Sequence, residues 1–170
     1  WGQSVVLLII DGSVGCTGTL INNTDNDGKP YLLTASHCLN KQFTMKNPDY
    51  EKIAGSIVCF FNFNSPFCDP ILRGTEEMST ASTYFKAVNE MADMALLELT
   101  ATPPVYYRPY YAGWNAQEVG PAPYTCIQHP QYSVKRISIS DEDLAPFTLT
   151  DPNMIFYKNA HWHVKTCLLY

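Results

Sequence analysis

The chain has 170 residues, of which 46% are apolar and 16% charged, and its formal net charge is −5. This length allows a substantial buried core, while the 11 basic residues form no cluster suited to the phosphates of nucleic acid or to anionic lipid. The longest apolar run, Val5–Ile10, is far shorter than the roughly 20 residues of a membrane-spanning helix. We therefore expect a globular protein that binds neither nucleic acid nor a membrane.

Strand-like runs follow one another through the first part of the chain. They are rich in β-branched and aromatic residues and are separated by turn formers such as Asp11-Gly12 and Asn26-Asp27-Gly28. The runs cover residues 5–10, 16–22, 30–35, 56–63, 83–88 and 94–99. Pro103-Pro104 ends the series, so we expect a meander of strands followed by a linker.

A second β unit is predicted to begin near Tyr106. Its strand-like runs lie at residues 124–128, 133–140 and 154–157. The many glycines and prolines and the 13% of aromatic residues also suit an all-β protein better than a helical one.

Cysteines are present in an even number and without a Cys-x-x-Cys spacing, which favours disulfides over zinc. They lie at positions 16, 38, 59, 68, 126 and 167. Disulfides indicate an oxidising compartment, so we expect a secreted or periplasmic protein. The pairing of Cys59, Cys68, Cys126 and Cys167 is left open.

Two short segments contain residues suited to acid–base chemistry. In the first, a strand-like run ends in a small-residue turn that holds His37 next to Cys38. The pKa of an ordinary histidine, near ~6.5, lets it take and return a proton at neutral pH when a carboxylate fixes its tautomer. In the second, Asp93 stands directly before the apolar run 94–99, and it is the candidate for that carboxylate.

These segments, Thr-Ala-Ser-His-Cys at 34–38 and Asp-Met-Ala-Leu-Leu at 93–97, resemble the histidine and aspartate motifs of the trypsin-like (chymotrypsin-fold) serine peptidases. Other segments are similar to the bacterial lysyl-endopeptidase branch of that family. They are Cys-Thr-Gly-Thr-Leu-Ile-Asn-Asn at 16–23, Phe-Phe-Asn-Phe at 60–63, Ala-Gly-Trp at 112–114, His-Pro at 129–130 and Lys-Arg-Ile-Ser at 135–138. The resemblance covers residues 16–165.

The resemblance implies two antiparallel six-stranded β-barrels with the active site between them. The first barrel would span residues 1–104 and carry the catalytic His37 and Asp93, and an incomplete second barrel would span residues 105–170. His37 would be the general base, Asp93 its orienting acid, and Cys16 and Cys38 would form a disulfide. No cofactor and no metal are implied.

The serine nucleophile expected from the family is missing from this chain. In the family it lies last, in a segment like Gly-x-Ser-Gly-Ser-Pro, whose glycines allow a tight turn that exposes N–H groups to the oxyanion. After Asp93 the serines are Ser133, Ser138 and Ser140, and no glycine follows Gly120. We therefore expect the chain to be truncated before the nucleophile and to be inactive as given.

The implied function is that of a monomeric serine endopeptidase that hydrolyses protein or peptide substrates by acyl transfer, with cleavage after lysine suggested by the branch. Trp114 and His129 are candidates for the substrate cleft, although an aromatic residue such as Trp114 at a domain junction more often belongs to the core. One alternative is a non-catalytic pseudoprotease or secreted binding module. Another is a metal-binding protein that uses His161 and His163, which share one face of a strand but have no third ligand motif.

A metal site at Cys16, His37 and Cys38 is disfavoured, because adjacent residues on an extended chain point to opposite faces.

Overall fold

The computed structural model describes residues 1–67, 74–116 and 120–164, and the backbone of residues 167–168. Within these ranges the chain forms mainly short β-strands and two short α-helices, which confirms the all-β fold class. The elements up to residue 99 are β1 (Val5–Ile10), β2 (Val14–Ile21), β3 (Tyr31–Thr34), α1 (Ser36–Leu39), α2 (Tyr50–Gly55), β4 (Val58–Phe60), β5 (Ser79–Ala81), β6 (Thr83–Asn89) and β7 (Met94–Leu99). Those after it are β8 (Tyr124–Gln128), β9 (Arg136–Ser140), β10 (Ala145–Phe147), β11 (His161–His163) and β12 (Cys167–Leu168).

The first seven strands form one antiparallel sheet in the order β5-β4-β1-β2-β3-β7-β6. Only Ser82 separates the two edge strands in sequence. Its N–H donates to the carbonyl of Ile57 at 2.7 Å, and its own carbonyl accepts from the N–H of Thr100 at 3.5 Å. The two edges of the sheet therefore meet at this corner. Counted as one strand bent at Ser82, where φ is 69°, β5 and β6 bring the sheet to the six strands that the resemblance implied.

The barrel core follows from the alternation of side chains along its strands. In β7 the buried positions Ala95, Leu97 and Leu99 alternate with more exposed ones, as expected for a strand with one face on a core. Fully burying one leucine side chain contributes about 1.5–3 kcal/mol, so Leu97 and Leu99 each stabilise the barrel by a contribution of that order.

Strand β1 is buried along most of its length because both of its faces are covered. Val6 and Leu8 point into the barrel core. Leu7, on the opposite face, lies in a second cluster with Phe63 and with Val134 from the later part of the chain. This second cluster is one place where the two parts of the chain pack together.

The later part of the chain forms two small sheets, β12-β9-β8 and β10-β11, both antiparallel. It contacts the barrel through the N–H of Lys135, which donates to the carbonyl of Phe63 at 2.9 Å, and through Tyr132, which lies against Gly15. A Cβ atom on Gly15 would come within 1.6 Å of the Tyr132 ring, so this contact requires glycine.

The prediction of a strand at residues 154–157 was wrong. Instead of a strand, the segment follows a turn in which Asp151 and Met154 form an isolated bridge. Its Phe156 is buried with its ring 5.3 Å from that of Phe43, so the apolar residues serve packing between segments rather than a sheet. None of the helices in the described part of the chain has the length and apolar character needed to cross a membrane.

Candidate active site

His37 lies in helix α1, immediately after the inner strand β3. The neighbouring Cys38 forms a disulfide with Cys16 of β2, with Cα atoms 6.3 Å apart, which confirms the predicted pairing. Because the bridge joins α1 to β2, it fixes the histidine turn against the sheet. Among the other cysteines with described side chains, Cys59 is buried and Cys126 exposed, and both are free, whereas Cys68 lies outside the described residues.

Asp93 stands between a 3-10 turn, Glu90–Ala92, and strand β7. It adopts the left-handed conformation, with φ 52° and ψ 46°. The pairing of β3 with β7 explains why it meets His37. Thr34 lies opposite Ala95, so the residues just after β3 and just before β7 are neighbours at the same end of the sheet.

The Asp93 carboxylate accepts three hydrogen bonds from the histidine turn. Its Oδ2 lies 2.7 Å from Nδ1 of His37, while Oδ1 accepts from the His37 N–H at 2.9 Å and from Oγ of Ser36 at 3.1 Å. An ionised carboxylate only accepts, so Nδ1 of His37 carries the hydrogen. In the neutral ring Nε2 is then left unprotonated, which is the form that a general base needs.

Ser36 is a site residue that the sequence analysis missed. It is fully buried and donates to Asp93, so it supports the carboxylate rather than acting on a substrate. Its position in the histidine motif, between Ala35 and His37, was the sequence feature that could have identified it.

The pKa values of both residues shift as expected for a charged pair. The hydrogen bond to Asp93 raises the pKa of His37 above 6.5, and partial burial opposes this. Burial by itself would raise the pKa of Asp93, but the hydrogen bonds donated by His37 and Ser36 outweigh it and hold the pKa below 3.8. The pair therefore favours an imidazolium beside a carboxylate, the state that forms when a general base has taken a proton.

A cavity of about 320 Å³ lies beside the pair. Its lining comes from two parts of the chain: His37, Gln42, Phe43 and Asp93 from the barrel, and Leu149, Thr150, Asp151 and Phe156 from the later segment. The His37 side chain is 45% exposed and that of Asp93 12%, so the base is open to a ligand while the acid is covered.

The other candidate residues do not line this cavity. Trp114 is 62% exposed. His129 is buried; its N–H donates to Oγ1 of Thr17 at 2.9 Å and its Nδ1 contacts the carbonyl of Ser133 at 3.0 Å. Both cleft assignments stay predictions.

His161 and His163 lie at the two ends of β11. Nε2 of His161 donates to the carbonyl of Ala92 at 3.2 Å, and the ring of His163 contacts that of Phe147.

The expectation that His37 and Cys38 point to opposite faces, which disfavoured a metal site with Cys16, was wrong. Residues 37 and 38 lie in a helical turn rather than on an extended chain, and the potential ligand atoms of the three residues lie within 4.8 Å of one another. The disulfide nevertheless occupies both sulfur atoms, which leaves His37 as the one available ligand of the three.

A family model described as lysyl endopeptidase, C-terminal domain, matches residues 2–167, which is nearly the whole chain. The chain belongs to this family. The lysyl endopeptidase of Pseudomonas aeruginosa is 27% identical to it over 129 residues, which make up 75% of this chain and 26% of that protein. The chain therefore spans about a quarter of the length of this lysyl endopeptidase.

Proposed function

We propose that this chain is part of a secreted serine endopeptidase in which His37 is the general base and Asp93 the carboxylate that orients it. The observation that carries the proposal is the contact of 2.7 Å between Nδ1 of His37 and Oδ2 of Asp93, which reserves Nε2 for proton transfer. The cavity beside the pair gives a peptide a place to bind.

The nucleophile of this enzyme would be a serine outside the 170 residues. Of the serines after Asp93, Ser138 and Ser140 are buried in β9, and Ser133 donates to the carbonyl of Val134. None of them adjoins a glycine that would form the tight turn of an oxyanion hole. His37 and Asp93 alone cannot form an acyl-enzyme, so we expect the chain by itself to be inactive.

Two finer features of the proposed function have separate support. Cleavage after lysine is supported by membership of the lysyl endopeptidase family. Secretion or export to the periplasm is supported by the Cys16–Cys38 disulfide, which is stable in an oxidising compartment.

The test compares this chain with the longer protein encoded by its gene. Both are incubated with peptide esters that carry lysine, arginine or leucine at the cleaved position, and with a fluorophosphonate probe that labels activated serines. We expect turnover and labelling of the longer protein alone, with lysine preferred, and a loss of at least about 10⁴-fold in kcat for His37→Ala and Asp93→Asn. His163→Ala, a histidine substitution away from the cavity, is the matched control and should keep full activity.

Two other outcomes of this activity and labelling test would contradict the proposal. A folded longer protein that binds peptide but neither turns over nor reacts with the probe would identify a pseudoprotease. Labelling of this chain that His37→Ala abolishes would place the nucleophile within the 170 residues.

A further inference from the structure

The turn that carries His37 and the turn that carries Asp93 are joined by a second set of contacts, separate from those of the pair itself. Asn40 follows helix α1, and its N–H donates to the carbonyl of Ser36 at 2.9 Å. Glu90 begins the 3-10 turn before Asp93, and its carbonyl accepts from the N–H of Asp93 at 3.0 Å. Nδ2 of Asn40 donates to Oε1 of Glu90 at 2.7 Å, which links two residues 50 positions apart in sequence.

A third residue holds the same carboxylate oxygen. The hydroxyl of Tyr50, in α2, also donates to Oε1 of Glu90, and the Tyr50 ring is stacked on Phe85 of β6 at 5.2 Å. Burial, followed by this hydrogen bond, raises the pKa of Tyr50 above its ordinary value, so the hydroxyl keeps its proton and remains a donor. The side chain of Glu90 is thus fixed from both the histidine turn and helix α2.

Asn40 also organises the wall of the cavity. It is 2% exposed, its Oδ1 accepts from the N–H of Met45 at 2.9 Å, and its Nδ2 lies 3.3 Å from the Met45 carbonyl. Between these two residues the backbone has positive φ at Lys41, Gln42 and Phe43. Such a loop is strained and needs support from its surroundings, and Gln42 and Phe43 line the cavity beside His37.

We propose that Glu90 is a positioning residue, whose carboxylate, held by Asn40 and Tyr50, keeps the turn that carries Asp93 in register with the turn that carries His37. Asp93 needs such support because it adopts the left-handed conformation, which is unfavourable for a residue with a Cβ atom. Glu90 would act on His37 through the geometry of the pair, without touching a substrate. Its importance for catalysis rests on the proposed function, whereas its effect on the pair does not.

The experiment measures the pair directly and requires no enzymatic activity. The chain has 4 histidines, so the pKa of His37 can be followed by NMR from the signals of its imidazole ring. The spectrum of His37→Gln, which lacks these signals, gives their assignment. Exchange of the His37 amide hydrogen, which is bonded to Asp93, is measured in the same samples relative to the amides of β1, which report global unfolding. The variants are Glu90→Ala, Glu90→Gln and Tyr50→Phe.

We expect Glu90→Ala to lower the pKa of His37 by about half a unit or more and to speed its amide exchange about tenfold relative to β1. Glu90→Gln keeps an oxygen that can accept from Asn40 and Tyr50, so it should lie close to the unchanged protein in both measurements. Tyr50→Phe keeps the ring on Phe85 but loses one donor, and its effect should be intermediate. Glu98→Ala, which removes a carboxylate paired with Lys86 at 2.9 Å in the same sheet, is the control and should change neither measurement.

Equal shifts in Glu90→Gln and Glu90→Ala would overturn the proposal, because they would show that the charge of Glu90 acts and not its position. An unchanged His37 in folded Glu90→Ala would overturn it as well. If Glu90→Ala does not fold, Tyr50→Phe decides: faster exchange of the His37 amide supports the proposal and unchanged exchange contradicts it. Failure of the proposed function would instead be seen as absent labelling of the longer protein, with these NMR results unaffected.

Discussion

The barrel and the later part of the chain bury their residues in opposite ways. In β7 the buried side chains are apolar, with Leu97 fully buried. In β9 the buried side chains are Ser138 and Ser140, while Ile137 and Ile139 are 52% and 49% exposed. A strand that directs its isoleucines outward gains little from the hydrophobic effect in this arrangement.

The two parts therefore differ in what stabilises them. Among the residues with described side chains, the buried members of the main apolar core lie between Val6 and Tyr107, and none comes from the later strands. The buried apolar residues described in the later part, Val134 and Phe156, pack instead on the barrel residues Leu7 and Phe43. We infer that the later part depends on the barrel for its structure. In return it supports the turn before Asp93, where the N–H of Tyr157 donates to the carbonyl of Met91 at 2.9 Å and Nε2 of His161 donates to that of Ala92.

The sharpest test of this difference is to truncate one residue in each sheet. Leu97→Ala should lower the free energy of unfolding by about 2–5 kcal/mol, because it removes apolar contacts and leaves a cavity in the barrel core. Ile139→Ala should lower it by less than about 1 kcal/mol, because that side chain is half exposed in β9. Urea denaturation followed by fluorescence and circular dichroism measures both values.

The same pair of variants can contradict the comparison. If Ile139→Ala lowers the free energy of unfolding as much as Leu97→Ala does, the apolar face of β9 is covered in solution and the later part has a core of its own. A separate second transition in the urea curve would show that the later part unfolds independently of the barrel.

Long apolar runs were the elements that could be predicted most accurately from the sequence. Strands β1, β7 and β8 have the bounds expected from the sequence, because a short run rich in apolar, β-branched or aromatic residues and bounded by turns specifies a strand locally. The run at 154–157 has the same local appearance, yet Phe156 packs on Phe43, more than a hundred residues earlier. Such long-range packing leaves no local signal.

The residues of the candidate site also differ in how well the sequence predicts them. His37 and Asp93 could be found because each stands in a short motif and their order fits the resemblance. Helix α1 is too short to show a helical period, and the bend at Ser82 lacks the glycine that usually marks a positive φ. The contact of Glu90 with Asn40 joins polar residues that have no motif, so only the fold brings it to light.

The second test examines how the later part is anchored, through the buried His129. Burial lowers the pKa of His129 to about 4 in the folded protein, so the folded state resists a proton that the unfolded chain binds below about 6.5. Stability should therefore fall as the pH drops from 6.5 towards 4, by about 1.4 kcal/mol per unit and on the order of 3 kcal/mol in total. Urea unfolding at pH 7 and pH 5 measures this loss.

His129→Asn provides the comparison for the acid effect. Its side-chain amide can donate to the Ser133 carbonyl as Nδ1 does, but it does not titrate. This variant should lose less stability between pH 7 and pH 5 than the unchanged protein, while the exposed His163→Asn should behave like the unchanged protein. Equal acid losses in all three proteins would show that His129 is not buried against the barrel.

The smallest effect is expected for the pair in the barrel, because the His37 side chain is 45% exposed and surface pairs contribute less than about 1 kcal/mol. The raised pKa of His37 gives stability that is present below 6.5 and lost as the pH rises through the folded value. The lowered pKa of Asp93 gives stability that is fully present above 3.8 and is lost as the pH falls from there through the lower folded value. The gain from Asp93 over Asp93→Asn should thus be a few tenths of a kcal/mol larger at pH 5.5 than at pH 9 in urea unfolding. Because both proteins contain His129, its pH-dependent contribution to stability cancels when the two are compared. An equal gain at both pH values would show that His37 carries no extra charge beside Asp93.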